Sequence, residues 1–150
     1  MTRTRVVAFA GCVLLVLGAA YLRDPPWVGQ ITSGMRGWET ELRRGTRFRW
    51  TTGRASFFVP SEAKVMTLPM RSGFPAPDGG PVTVSVSVDD RWLADVELRQ
   101  PQEWVRTSLP LPRKETSRRF RRVDLHVSRT IVGPFIFGVQ TGEIELDQTP

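Results

Sequence analysis

The run Val82-Thr83-Val84-Ser85-Val86-Ser87-Val88 constrains the fold more than any other stretch of this chain. Four valines at alternate positions, separated by hydroxyl residues, give an extended chain one apolar and one polar face, because successive strand side chains point to opposite sides. The same period returns along the sequence. Phe48 and Trp50 alternate, then Ala55, Phe57 and Val59, and later Val123, Leu125 and Val127. Val65, Met66, Thr67 and Leu68 read as a strand covered on both sides. Trp92, Leu93, Val96 and Leu98 return from a hairpin turn expected at Asp89-Asp90. Trp104 to Leu109 forms another strand, closed by Pro110 and Pro112, and Ile144 and Leu146 mark the last. About eight short strands with turn signals every 8–12 residues read as an all-β chain, a β-sandwich of jelly-roll type. The Thr-Thr-Gly step at residues 51–53 reads as a break between two strands, with Gly53 supplying a positive φ.

The amino terminus has a different character. Residues 1–5 are a short basic lead, and residues 6–22 carry no charge between Arg5 and Arg23. Seventeen helical residues rise about 25 Å, close to the lower limit of a membrane span. The expectation is an uncleaved transmembrane signal anchor rather than a cleaved signal peptide. Arg3 and Arg5 then hold the amino terminus in the cytoplasm, and the rest of the chain faces outward from the cell membrane. Residues 23–45 read as a juxtamembrane connector, with a helical turn around Trp38 to Leu42 ending at Gly45, and residues 46–150 as the extracytoplasmic sandwich.

Composition narrows the chemistry. The single cysteine, Cys12, lies in the apolar run, so neither an intrachain disulfide nor a cysteine-based metal site is available. His126 is the only histidine, which excludes multi-histidine metal centres, and its place between Leu125 and Val127 puts it on a solvent face. No phosphate-binding or nucleophile-elbow motif is present. The formal charge is +6, of which Arg3, Arg5 and Arg23 supply +3. The remaining +3 is weaker and less localised than nucleic-acid binding requires. No cofactor and no catalytic residue is expected. Asp78-Gly79-Gly80 and Asp89-Asp90 contain oxygen donors for calcium, but turn formation accounts for them equally well.

Two groups of residues remain as candidate contacts. Trp92 and Trp104, expected on neighbouring strands, offer indole faces that stack on sugar rings, and Asp90 and Arg91 offer hydrogen bonds to hydroxyl groups. Trp50 is expected in the core. The segment 113–122 carries Arg113, Lys114, Arg118, Arg119, Arg121 and Arg122 against one acid, Glu115. It is either a solvated loop or a contact for an anionic surface.

The stretches RWTTGRASFFVP, VTVSVSVDDRWLADVEL, RRVDLHVSRTIVGP and FGVQTGEIEL occur in this order over residues 47–146. In this the chain resembles the small extracytoplasmic jelly-roll, galactose-binding-like β-sandwich domains of bacterial membrane proteins of glycan assembly. Such domains are appended to lipid-linked-sugar glycosyltransferases or stand as short anchored proteins. The resemblance implies an accessory role and carries over no catalytic residue. The expected function is a non-catalytic, membrane-anchored sandwich that binds glycan or assists its assembly in the envelope. The alternative is a structural protein that docks on a membrane partner and has no ligand of its own.

Overall fold

The computed structural model describes residues 3–42, 44–74, 80–113, 115 and 117–147. The chain begins with α1 (Arg3–Arg23), followed by a 3-10 turn at Pro26–Gln30 that Pro25 and Pro26 enforce. The strands are β1 (Thr32–Met35), β2 (Glu39–Thr40), β3 (Arg47–Pro60), β4 (Val65–Arg71), β5 (Val82–Val88), β6 (Arg91–Leu98), β7 (Val105–Pro110), β8 (Phe120–Val127), β9 (Ile131–Val132), β10 (Ile136–Phe137), β11 (Gln140–Thr141) and β12 (Glu145–Asp147).

They build a β-sandwich. One sheet runs β1-β3-β8-β5-β6, and every neighbouring pair in it is antiparallel. In the other, β4 is central, with β7 on one side and β11 and β12 on the other. The strand β3 belongs to both. Its first part pairs with β11 at Arg49 and Trp50, and its second part pairs with β8 from Arg54 to Pro60. The alternation read from the sequence sets the inner faces. Val84, Val86, Val88, Val123, Leu125, Phe57 and Val59 from the first sheet meet Met66, Leu68 and Met70 from the second. Trp50 is 8% exposed and packs at one end against Phe74 and Phe137.

The turn at Asp89-Asp90 forms as expected. Both residues have positive φ, 50° and 65°, as a two-residue hairpin turn of the primed type requires.

Three expectations are corrected. Thr51-Thr52-Gly53 is no break: β3 passes through it without interruption, and Gly53 does not have a positive φ. At this point Thr51 ties β3 to the segment before β11: its amide and hydroxyl both donate to the Val139 carbonyl at 2.8 and 3.1 Å. The helical turn expected near Trp38 is instead β2, hydrogen-bonded to β3, with Gly45 at φ 66° closing the link. Pairing to β3 supplies hydrogen bonds along the sheet edge that one isolated helical turn cannot. β1 also pairs with β3, so the segment read as a connector contributes two strands to the sandwich. The register shift in β1 sits at Gly34, whose φ is 64° and whose hypothetical Cβ would lie 1.9 Å from the Arg54 carbonyl oxygen.

The third correction concerns α1. Among the described residues no helix is long and apolar enough to cross a membrane. The uncharged stretch between Arg5 and Arg23 rises about 25 Å against a hydrocarbon core of about 30 Å. What the structure has instead is an apolar helix with Leu14, Leu15, Val16, Leu17 and Leu22 all exposed.

Candidate functional site

On the second sheet, residues from four separate segments line an open groove of about 490 Å³. Pro69 of β4 and Gly142 lie along it, and Trp104, just before β7, stands beside them. A Cβ at Gly142 would meet Pro69 at 3.2 Å and the Trp104 ring at 3.7 Å, so glycine keeps this part of the groove open. Two ion pairs border the apolar strip. Arg106 donates one Nη2 to both carboxylate oxygens of Glu145 at 2.6 Å, and Arg47 pairs with Glu143 at 3.1 Å. The register explains the first pair. Pro69 lies opposite Arg106 on one side, and Thr67 lies opposite Glu145 on the other, so both charged side chains rise from strands that flank β4.

Trp104 is half-buried. Its ring centroid lies 4.7 Å from the guanidinium carbon of Arg71, which is itself 5.4 Å from the Phe48 ring. Arg71 is buried, donates through Nε to Gln140 and through Nη1 to Glu41 at 3.4 Å. Stacking of a guanidinium on indole fixes the ring plane. The indole Nε1 of Trp104 is buried and has no acceptor among the described residues. A buried N–H left in this way gains from any oxygen that reaches it.

The remaining sequence candidates lie elsewhere. Trp92 is on β6, the edge of the first sheet, and Trp104 precedes β7 at the edge of the second. The two strands do not pair with each other, so the expected joint platform does not form. A bulge between Val86 and Ser87 in the pairing with β6 skips Leu93 and turns Trp92 outward, to 69% exposure. There its Nε1 donates to Asp95 Oδ1 at 3.2 Å. Hydrogen bonds from Ser85 and from Trp92 hold the Asp95 carboxyl below the usual aspartate range.

Asp90 and Arg91 are engaged by neighbouring charges. Arg122 donates to Asp90 at 2.6 Å and to Asp124 at 2.8 Å, and these carboxylates raise its pKa, with Asp124 the larger cause. Arg91 pairs with Glu115 at 2.8 Å, which raises its pKa in the same way. Asp89 and Asp90 thus face guanidinium groups, an arrangement unsuited to a calcium ion, while Asp78 and Gly79 lie outside the described residues.

The basic segment divides. Arg121 points inward, donating to Asp89 at 3.0 Å and to the Pro112 carbonyl at 2.6 Å. Arg122 joins the acidic turn. Arg113, Arg118 and Arg119 are exposed, and Lys114 lies outside the described residues. Sequence reasoning missed Arg71, Arg47, Arg106, Glu143 and Glu145. The one available signal was the alternation of Glu143 and Glu145 with Ile144 and Leu146, which marks them as outward on the last strand.

No protein-family model matches this sequence, and no curated protein matches it. Among solved structures the chain is similar to the EclA C-terminal domain, described as a sugar-binding protein, with 12% identity, 78% of this chain and 65% of that chain covered, and a TM-score of 0.42. It is similar to the C-terminal CBM6 of LamC from Zobellia galactanivorans, with 11% identity, 76% and 88% coverage, and a TM-score of 0.42. It is also similar to a family 35 carbohydrate binding module from Clostridium thermocellum, with 10% identity, 74% and 89% coverage, and a TM-score of 0.44. Such distant likeness bears on neither ligand nor activity.

Proposed function

We propose that this protein is a non-catalytic β-sandwich that binds a glycan chain in the Trp104 groove and is attached to the cell membrane by α1. The observation that carries the glycan reading is the combination at Trp104. A ring held in plane by Arg71 lies beside an apolar strip with two arginine–carboxylate pairs along it. Sugar rings present an apolar C–H face and a rim of hydroxyls. An indole takes the first, and paired charges take the second as donors and acceptors together. The groove is open at its surface, which suits a chain longer than the contact itself. Arg47 and Arg106 are already neutralised by glutamates, so the reading favours neutral sugars over acidic ones.

The membrane part rests on the exposed apolar surface of α1, which presents no polar face between its terminal arginines. A helix apolar all round is stable in lipid or inside a larger protein. The proposal puts the sandwich on the extracytoplasmic side, where envelope glycans are assembled, with α1 held in the facing leaflet rather than crossing the bilayer. A carboxy-terminal epitope reached only from the cytoplasm would refute that placement.

The test of the glycan reading is tryptophan fluorescence titration of the protein with neutral envelope polysaccharides, beside Trp104→Ala and Trp92→Ala variants. Saturable binding lost in the first variant and kept in the second supports the groove. Equal loss in both, or no binding by the folded parent, sinks it.

A second reading is favoured by one observation. At the end of the sandwich Phe74, Val132, Phe135 and Ile136 are exposed together, with Arg36 4.0 Å above the Phe135 ring. An apolar cluster of this kind fits docking on a protein partner, the structural role named as the alternative above.

A further inference from the structure

Arg47 and Arg49 stand two residues apart on β3, so their side chains leave the same face. The Trp38 ring lies against both, 5.1 Å from the guanidinium carbon of Arg47 and 4.7 Å from that of Arg49. The two charges differ in their partners. Arg47 pairs with Glu143 at 3.1 Å. Arg49 is half-buried, and its Nε is closed off from solvent with no acceptor among the described residues. Desolvation accordingly pushes its pKa below the ordinary arginine value. The strand beneath it is fixed on both sides, by β11 with Arg49 opposite Thr141 and by β2. Contact with the indole offsets part of the cost of burying this charge, and an oxyanion would offset the rest.

Arg49 lines a pocket of about 420 Å³ together with Thr32, Trp38 and Leu146. Arg47 and Glu143 also line it, and the same two residues line the Trp104 groove, so the two depressions share a wall. Because Arg47 and Glu143 neutralise each other, Arg49 is the one uncompensated charge in the described lining of the pocket.

We propose that this pocket receives the carboxylate of an acidic sugar residue whose neutral neighbours lie in the Trp104 groove. The planar guanidinium fork matches a carboxylate. A single positive charge suits a singly charged group, whereas a phosphate monoester brings nearly two negative charges. Trp38 adds an apolar face for the ring that carries the acid. The groove itself takes neutral residues because its arginines are already paired, which leaves recognition of the acid to Arg49.

The inference rests on the glycan reading of the groove and specifies its ligand, and the test separates the two. The full chain is titrated by tryptophan fluorescence with neutral envelope polysaccharides, each before and after oxidation of a minority of its primary hydroxyls to carboxylates. The parent is expected to bind the oxidised form about tenfold more tightly, the worth of one charge-assisted hydrogen bond. Arg49→Gln should remove that gain and leave the neutral affinity unchanged, which also shows that the variant is folded. Arg49→Lys keeps the charge without the fork and should retain part of the gain. Arg54→Gln removes an exposed arginine from the other sheet and should retain all of it. No gain in the parent overturns the carboxylate pocket and leaves the neutral groove standing. A gain that survives Arg49→Gln, or is lost equally in Arg54→Gln, also overturns the pocket. Loss of neutral binding in both Arg49 variants makes Arg49 a support of the groove and overturns a separate acid site. Binding of the oxidised form alone, lost in Arg49→Gln, keeps the pocket and sinks the neutral groove. No binding of either form by the folded parent overturns both.

Discussion

Arg121 and Asp89 clasp the tip of the β5–β6 hairpin. Arg121 is only 5% exposed, and its Nε donates to Asp89 Oδ2 at 3.0 Å, while Nη1 reaches the Pro112 carbonyl. The Arg122 amide donates to the second oxygen of Asp89 at 3.0 Å. A carboxylate held from two sides keeps Asp89 in the left-handed region at φ 50°, a conformation that L-residues other than asparagine and aspartate rarely adopt.

Removing the guanidinium should therefore unlatch the turn. Arg121→Met is expected to destabilise the fold by about 2–3 kcal/mol, less than a fully buried pair because Asp89 remains partly solvated. Asp89→Asn tolerates positive φ but presents one oxygen to two donors, so it keeps only one of the two hydrogen bonds and should cost about 1–2 kcal/mol. Urea denaturation of both variants checks the order. Equal effects would show that loss of the ion pair, common to both variants, sets the cost and that the hydrogen bond retained in Asp89→Asn adds nothing.

The groove pair gives the opposite pattern. Arg106 and Glu145 are both more than half exposed, so Glu145→Gln should change stability by less than about 1 kcal/mol. Affinity for a neutral polysaccharide should fall about tenfold, since one lost charge-assisted hydrogen bond is worth about 1.5 kcal/mol. Thermal unfolding and fluorescence titration of one sample measure both quantities. A variant that loses stability but binds normally would move the ligand elsewhere.

At the edge of the first sheet, Asp95 predicts a pH response. Its pKa is depressed in the folded state by Ser85 and Trp92. Folding therefore favours the ionised form, and the contribution is complete above the unfolded pKa of the group. It is lost as pH falls through the lower folded value. Trp92 emission should change on acidification below the usual aspartate range, before global unfolding, and Asp95→Asn should abolish the change. Emission that stays flat through that range in the parent would show that the Trp92–Asp95 bond does not persist in solution.

Gly34 predicts the largest single effect outside the core. It combines positive φ with a Cβ position 1.9 Å from the Arg54 carbonyl oxygen. Gly34→Ala must move backbone against backbone, and a cost of about 3 kcal/mol or more is expected. If circular dichroism melting shows only a small shift, β1 detaches without harm to the rest of the sandwich.

Much of the architecture was open to reading from the sequence because alternation is a direct print of burial. Val82 to Val88 and Val123 to Val127 form inner-face strands as their spacing requires. Trp92 shows where that logic stops. It shares parity with Val96 and Leu98, which are buried, yet one bulged residue at Leu93 reverses its face. Nothing in the local sequence announces the bulge. The groove was illegible for another reason. Its walls come from segments near residues 45, 69, 105 and 143, and only sheet pairing brings them together. Arg71 was hidden because a buried arginine between two aromatic rings has the same sequence signature as an exposed one.

The dual membership of β3 has a consequence for the order in which the molecule is made. Its second half can pair with β8 as soon as residue 127 has been synthesised, but the pairing of Arg49 and Trp50 in its first half with β11 must wait for Gln140 and Thr141. β4 is likewise incomplete until Glu145 to Asp147 arrive. A nascent chain can thus close one face of the sandwich while Met66, Leu68 and Met70 still lack part of their cover. Closing contacts so distant in sequence is slow. During that interval the unfinished edge of β4 is a template for a neighbouring chain, and the growing domain is most exposed to mispairing after residue 127 and before Glu145 to Asp147 emerge.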